Sequence, residues 1–430
     1  MRRIIPTIIL VLVLVFALFA CSTRPLDGPE DTGTPDTADT GESGGTETGG
    51  EPSYPTGGIA DRSHVLSPDR ELEGNATVEP VNTVNLTVVA VGDNLIHPNI
   101  YLDAALRGTP EKTYDFLPMY ELVRPYLSSA DIAFINQETL MAGAEYGYTG
   151  YPCFNCPQQL GLDMVEIGFD IINMANNHML DKGDSGLRST IDFWHTQPVT
   201  ILGGHYDQND YDTIRVTEYD GFKIAWLSYT YGTNGITLPY GSELVVPYID
   251  EDRIVSDLKR AEQLGDITIV SIHWGLENTH VPTDEQRHLA QVIADNGAAV
   301  ILGHHSHTLQ PIEWIETERG RTLCIYSLGN FASGQARPMN MVAGMFTFRI
   351  EDGKDGGYEI CDPILYPTVN YYDWNWYNTK IYPLDQYTEE IAVTHGLGNP
   401  NIYGAYLSPT EAREIVLGVI DSEFLPEYMK

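Results

Sequence analysis

Five short polar runs in this chain carry residue types that can do chemistry: Gly92-Asp93-Asn94-Leu95-Ile96-His97, Asn136-Gln137-Glu138, Asn176-Asn177-His178, His273-Trp274-Gly275 and Gly303-His304-His305-Ser306-His307. Together they offer carboxylates, side-chain amides and several imidazoles. That mixture suits borderline divalent cations such as Mn, Fe or Zn, whereas Ca and Mg prefer shells built from oxygen alone. A carboxylate can bridge two such ions about 3.5–4 Å apart, with a hydroxide between them able to attack phosphorus or a carbonyl carbon. A single histidine after a strand is ordinarily a hydrogen-bonded structural residue, so the joint occurrence carries the argument. His305 and His307 form the sharpest local pair, because alternate residues of an extended segment project to one side. By the same alternation His304 is expected to point away, in a supporting role.

Elements that could position these runs alternate along the chain. Apolar stretches Leu86–Gly92, Asp131–Ile135, Gly168–Met174, Val199–Leu202, Lys223–Tyr229, Ile267–Ile272, Ala298–Leu302 and Thr322–Ser327 read as strands. Helical patterns cover Ser185–His195, Asp250–Leu264 and Thr283–Asn296. The alternation predicts a layered α/β fold whose recognisable core closes with Thr322–Ser327. The polar runs follow strands directly, and strand ends are where loops gather side chains from distant parts of a chain.

In order and spacing, the stretches GDNLIH, INQET, MANNHMLDKG, SIHWGLE, ILGHHSHTLQPIE and YSLGNF resemble the CapA (PGA_cap) family of poly-γ-glutamate capsule proteins, within the calcineurin-like metallophosphoesterases. The resemblance spans about Leu86 to Phe331. It implies a layered metallophosphoesterase sandwich with two divalent ions at strand ends. Asp93 and His307 would then hold the first ion, Glu138 would bridge, and Asn177, His273 and His305 would surround the second. His178 would protonate a leaving oxygen, with Asp181 orienting it. Two departures stand out. Asn94 and Leu95 follow Asp93 where the superfamily has Asp-x-His, leaving His97 as the nearby replacement, and Glu138 stands in place of an aspartate. Asn330 of YSLGNF either contacts substrate or builds a turn on Gly329. Glu277 either faces the site or caps a helix.

The ends set the organisation. Met1-Arg2-Arg3, the apolar run Ile4–Ala20 and Cys21 predict a lipoprotein-type signal segment over 1–21, with an uncleaved membrane helix as the alternative; either places the rest outside the cytoplasm. Residues 22–80, rich in Thr, Gly, Asp, Glu and Pro, cannot bury a core and read as an acidic tether. A catalytic-type domain is expected over 81–362 and an aromatic-rich extension packed on it over 363–430. Tyr371, Tyr372, Trp374, Trp376 and Tyr377 either pack that extension or form a polymer platform. Cys153 and Cys156 lie in a proline-flanked C-x-x-C, expected to be a local disulfide or inert thiols. With 60 Asp and Glu against 24 Lys and Arg, nucleic acid and anionic membrane surfaces are poor partners. The expected role is in making a poly-γ-glutamate-like envelope polymer, a membrane synthase being the partner class that the resemblance implies. A general cell-surface phosphoesterase and a non-catalytic scaffold or export factor are the rivals.

Overall fold

The computed structural model describes residues 84–353, 357–401 and 404–430. The signal segment and tether, residues 1–80, lie outside them. No helix among the described residues is long and apolar enough to cross a membrane.

Among the described residues fourteen strands run β1 (Asn85–Leu95), β2 (Ile132–Asn136), β3 (Ile171–Asn173), β4 (Thr200–Leu202), β5 (Arg215–Tyr219), β6 (Phe222–Thr230), β7 (Ile267–His273), β8 (Val300–His304), β9 (Ile312–Thr317), β10 (Gly320–Ile325), β11 (Asn330–Ser333), β12 (Val342–Asp352), β13 (Tyr358–Tyr371) and β14 (Lys380–Pro383). They make two sheets, one in the order β14-β13-β12-β1-β2-β3-β4 with β11 beside β1, the other in the order β5-β6-β7-β8-β10-β9. Strands β1 to β4 pair in parallel, as do β6, β7, β8 and β10.

Alternation along the strands explains the layering. Val88, Ala90, Ile132 and Phe134 of the first sheet meet Ile224, Trp226, Ile269 and Leu302 of the second between the sheets. Val89, Val91, Ala133 and Ile135 face outward, under helices Pro98–Arg107, Gln159–Ile167 and Gly183–His195. Ala225, Leu227, Val270 and Ile272 pack beneath helices Glu251–Ala261 and Asp284–Asp295. Strands covered on both faces lose the polar half of their pattern, which is why they read as unbroken apolar runs. Each fully buried Val, Leu, Ile or Phe contributes roughly 1.5–3 kcal/mol. The result is the expected α/β sandwich with helices on both outer faces.

The core does not close at Thr322–Ser327. Strand β12 pairs antiparallel with β1 from Asn85↔Glu351 to Val91↔Met345, and β13 and β14 extend that sheet. The border expected at 362 falls inside β13. Pro363 and Pro367 make this stretch look broken in sequence. Pro363 is accommodated where the β12–β13 register shifts, beside Asp362 at φ 48°, and Pro367 precedes the pairing with β14. Most of the aromatic segment packs inward: Tyr372 is buried and stacks on Trp376 with ring centroids 4.8 Å apart, while Trp374 stays exposed. Cys156 is a free, buried thiol, so no bridge joins it to Cys153.

Candidate metal centre

The parallel strands end in register. Asp93 pairs with Asn136 and Asn136 with Asn173 across β1, β2 and β3; Thr230 pairs with His273 and His273 with His304 across β6, β7 and β8. The apolar layer between the sheets therefore stops at one level in both, and polar side chains begin there. From the first sheet come mainly carboxylates and amides, from the second imidazoles. Two glycines let the backbones close in beside them. A Cβ on Gly92 would lie 2.0 Å from Gly329 O, and one on Gly303 would lie 2.1 Å from Tyr326 O.

A chain of amides crosses the gap. Asn136 Nδ2 donates to Asp93 Oδ1 at 2.8 Å and lies 3.5 Å from His273 Nδ1. Asn173 Nδ2 donates to Asn136 Oδ1 at 2.8 Å, and Ser228 of β6 donates to Asn173. His273 Nε2 contacts Asn177 Oδ1 at 2.8 Å. Beneath this level Phe134 stacks on Trp226 and on His304, with centroids 6.2 and 5.7 Å away.

The His305–His307 segment is not extended. Strand β8 ends at His304, and His305 (φ 95°) and His307 (φ 57°) both adopt left-handed backbone. Such conformations cost about 1–3 kcal/mol each and persist only where the surroundings impose them. Here Asn340 Nδ2 donates to His307 O at 3.0 Å, and Asn278 N donates to Ser306 O at 2.8 Å. The bend, not strand alternation, brings both imidazoles to Glu138, and one ligand atom from each of Glu138, His305 and His307 lies within 4.8 Å of the others. Glu138 is buried with neither oxygen hydrogen-bonded; His273 Nε2 lies 3.6 Å and His307 Nε2 3.9 Å from its Oε1. His305 Nδ1 is also without a hydrogen bond. A buried carboxylate left unpaired among imidazoles costs several kcal/mol unless something cationic meets it. The donor set, one carboxylate and at least two histidines, fits Zn, Mn or Fe.

Electrostatics follow from burial. It pushes Glu138 well above the ordinary carboxylate range, helped by the charge of Asp93. Burial also works to raise Asp93, but the hydrogen bond and charge of His307 outweigh it and leave Asp93 below the ordinary range. Burial opposes the His307 proton, yet Glu138 and Asp93 together push that imidazole up to about 10. A cation bound there takes the place of a proton. Burial drives His305 down to about 3, with His307 adding to the effect, and takes His273 well below its ordinary value.

His178 and Asp181 form a separate dyad, Nδ1 to Oδ2 at 2.7 Å, and Phe154 N also donates to that carboxylate oxygen at 2.6 Å. His97 is not part of the Glu138 cluster: its Nδ1 lies 2.9 Å from Leu95 O and 3.1 Å from Gly334 N, and the Phe154 ring packs between His97 and His178. His304 keeps both ring nitrogens free of hydrogen bonds, 3.8 Å at nearest from Asp93 Oδ1. Glu277 is exposed and reaches the cluster only through its charge. Asn330 is buried and turns Oδ1 to His307 Nδ1 at 3.0 Å, a positioning role.

Sequence reasoning gave Asn136 no role of its own and missed Asn173, Tyr231 and Asn234. The first two were legible as amides ending apolar strands, where nothing but a hydrogen-bonding task favours them. Tyr231 and Asn234 follow β6, a strand end with no recognised run. Tyr231 lies over the His305 ring at 4.4 Å, and Asn234 Oδ1 accepts from Asn177 Nδ2 at 3.2 Å.

An α/β two-sheet protein with a buried acid–histidine cluster at converging strand ends is the class that fold and site define. Residues 87–335, more than half of the chain, match the family model for bacterial capsule synthesis protein PGA_cap, and the chain belongs to that family. PGA biosynthesis protein CapA of Bacillus subtilis (strain 168) is 32% identical over 206 residues, 45% of this chain and 50% of that protein. Capsule biosynthesis protein CapA of Bacillus anthracis is 27% identical over 203 residues, 46% of this chain and 48% of that protein. The chain thus spans about half the length of these curated relatives. Among solved structures, the NAD nucleotidase of Haemophilus influenzae is 12% identical with a TM-score of 0.40, covering 80% of this chain and 64% of that one.

Proposed function

We propose that this protein is a metal-dependent hydrolase-type component of capsule polymer synthesis, acting on a poly-γ-glutamate-like polymer or on a phosphoester linked to one. The observation that carries the reading is Glu138, a wholly buried carboxylate with no hydrogen bond, faced by His305, His307 and His273. A divalent cation held there, Mn, Fe or Zn, supplies Lewis-acid polarisation of an electrophilic centre. The protein's own residues supply the rest. Asp181 holds the proton of His178 on Nδ1, which leaves Nε2 to exchange a proton with a leaving oxygen or nitrogen. Phe154 covers the dyad on one side and limits water. Family membership supports the polymer setting, and the basic start with its apolar run and Cys21 supports action outside the cytoplasm from a lipid or membrane anchor.

The test is turnover by the full-length protein, with a chromogenic phosphodiester and poly-γ-glutamate chain length followed on the same samples. One of the two substrates should turn over, with loss in Glu138→Ala and a fall of roughly 10²–10⁴ in His178→Ala. Absence of turnover on both, by protein carrying its ion, would reject the hydrolase reading in favour of a scaffold.

A further inference from the structure

We propose that the centre takes one divalent cation, on Glu138, His305 and His307, and that Asp93 positions His307 instead of binding an ion. The inference rests on the metal-centre reading above and departs from the two ions that the resemblance implies.

Asn330 Nδ2 faces three acceptors, Gln335 Oε1 at 2.9 Å, Asn340 O at 3.1 Å and His307 O at 3.4 Å, so its Oδ1 must be the atom turned to His307. His307 Nδ1 therefore lies between two acceptors, Asn330 Oδ1 at 3.0 Å and Asp93 Oδ2 at 3.1 Å, and must carry a hydrogen. That sets Nε2 as the atom His307 offers to the cluster, on the side of Glu138 Oε1. Asp93 is engaged at both oxygens, Oδ2 by His307 and Oδ1 by Asn136 Nδ2. This is the carboxylate–histidine–metal arrangement, in which the carboxylate fixes the ring and raises its basicity without touching the ion.

The ligands that a second ion would need are engaged as well. Asn177 Oδ1 and His273 Nε2 are paired with each other at 2.8 Å, and Asn136 Nδ2 beside His273 Nδ1 favours the tautomer with hydrogen on Nε2. Leu95 occupies the position of the missing Asp-x-His imidazole, and His97 is tied to backbone atoms. Around the cluster Glu138, His305 and His304 are left with unpaired atoms; those of Glu138 and His305 form one three-point site with His307 Nε2, whereas His304 packs on Phe134 and joins no such group. Three protein ligands with an open position is also the composition of a catalytic ion site.

The experiment is Mn(II) titration of the chelator-stripped full-length protein, reading bound equivalents by equilibrium dialysis and the ion's environment by electron paramagnetic resonance. One equivalent with the spectrum of an isolated Mn(II) is expected. Asp93→Ala should keep one equivalent, bind it roughly 10–100-fold more weakly and change the line shape, the loss typical of an orienting partner. Glu138→Gln should reduce binding at least as far. Two equivalents with an exchange-coupled spectrum in the wild type would overturn the single-ion inference and leave the metal-centre reading standing, whereas no bound Mn(II) would overturn both. Loss of a whole equivalent in Asp93→Ala, with circular dichroism unchanged, would make Asp93 a ligand and overturn the positioning role. The wild-type stoichiometry decides the ion count even if a variant fails to fold.

Discussion

The parallel half of the molecule and its antiparallel flank solve different problems. Strands β1, β2, β3, β6, β7 and β8 are largely buried, and each carries or is followed by a residue of the site. Strands β12 to β14 and the aromatic segment between β13 and β14 contribute no member of the Glu138 cluster, yet they fix where that cluster sits. Asn370 of β13 donates to Asn330 O, Tyr372 OH donates to Gln335 O at 3.1 Å, and Gln335 in turn accepts from Asn330, the residue that orients His307. One region presents reactive groups, and the other holds them still. Positional support can therefore come from a part of the chain that shares no motif with the site.

Three perturbations distinguish the two regions. The largest effect is expected from Phe134→Ala, in the parallel half, because that ring joins the sheets just below the site through Trp226 and His304. Urea unfolding should show a loss of about 3–5 kcal/mol; a loss under about 1 kcal/mol would mean that the sheets are held together elsewhere. Next is a pH effect seated in the flank. Burial keeps His395 neutral, pushed down to about 4 from an ordinary 6.5, with Nε2 donating to Asn370 O and Nδ1 accepting from Leu397 N. The unfolded chain takes up a proton below about pH 6.5 while the native state refuses it until about pH 4. Stability is thus full above 6.5 and falls as pH drops through that window, on the order of 3 kcal/mol. His395→Gln should be less stable at pH 7 and show a shallower fall, read as the difference between the two stability–pH curves; parallel curves would remove His395 from the account. The smallest effect is expected from Tyr372→Phe, about 1 kcal/mol for one hydrogen bond. If the flank acts by positioning, this variant should weaken Mn(II) binding measurably although residue 372 touches no ligand.

How much of this was legible in the sequence divides along the same line. Strand ends after β1, β2, β3, β7 and β8 announced themselves, because a buried apolar run followed at once by Asp, Asn, Glu or His has few structural explanations. Asp93, Glu138, His273, His305 and His307 do meet, and Asn177 meets His273. What sequence could not convey was how they meet. His305 and His307 converge through left-handed backbone, which ordinary alternation cannot foresee. Asp93 was expected to hold an ion together with His307, and only the structure shows His307 and Asn136 on its two oxygens. The flank was hidden for another reason: Pro363 and Pro367 read as breakers, and only the pairing with β12 shows the register shift that accommodates the first of them.

Strand β1 opens the described structure, yet its partner across the antiparallel edge is β12, so that Asn85 sits opposite Glu351. During synthesis, the edge of β1 must stay open until about 266 further residues have emerged, the separation of Asn85 from Glu351. Closing so long a loop slows folding and prolongs exposure of an apolar strand edge. A chain that travels unfolded and amino end first would therefore complete its site last, after the flank arrives, and would need its first strand shielded from pairing with other chains on the way.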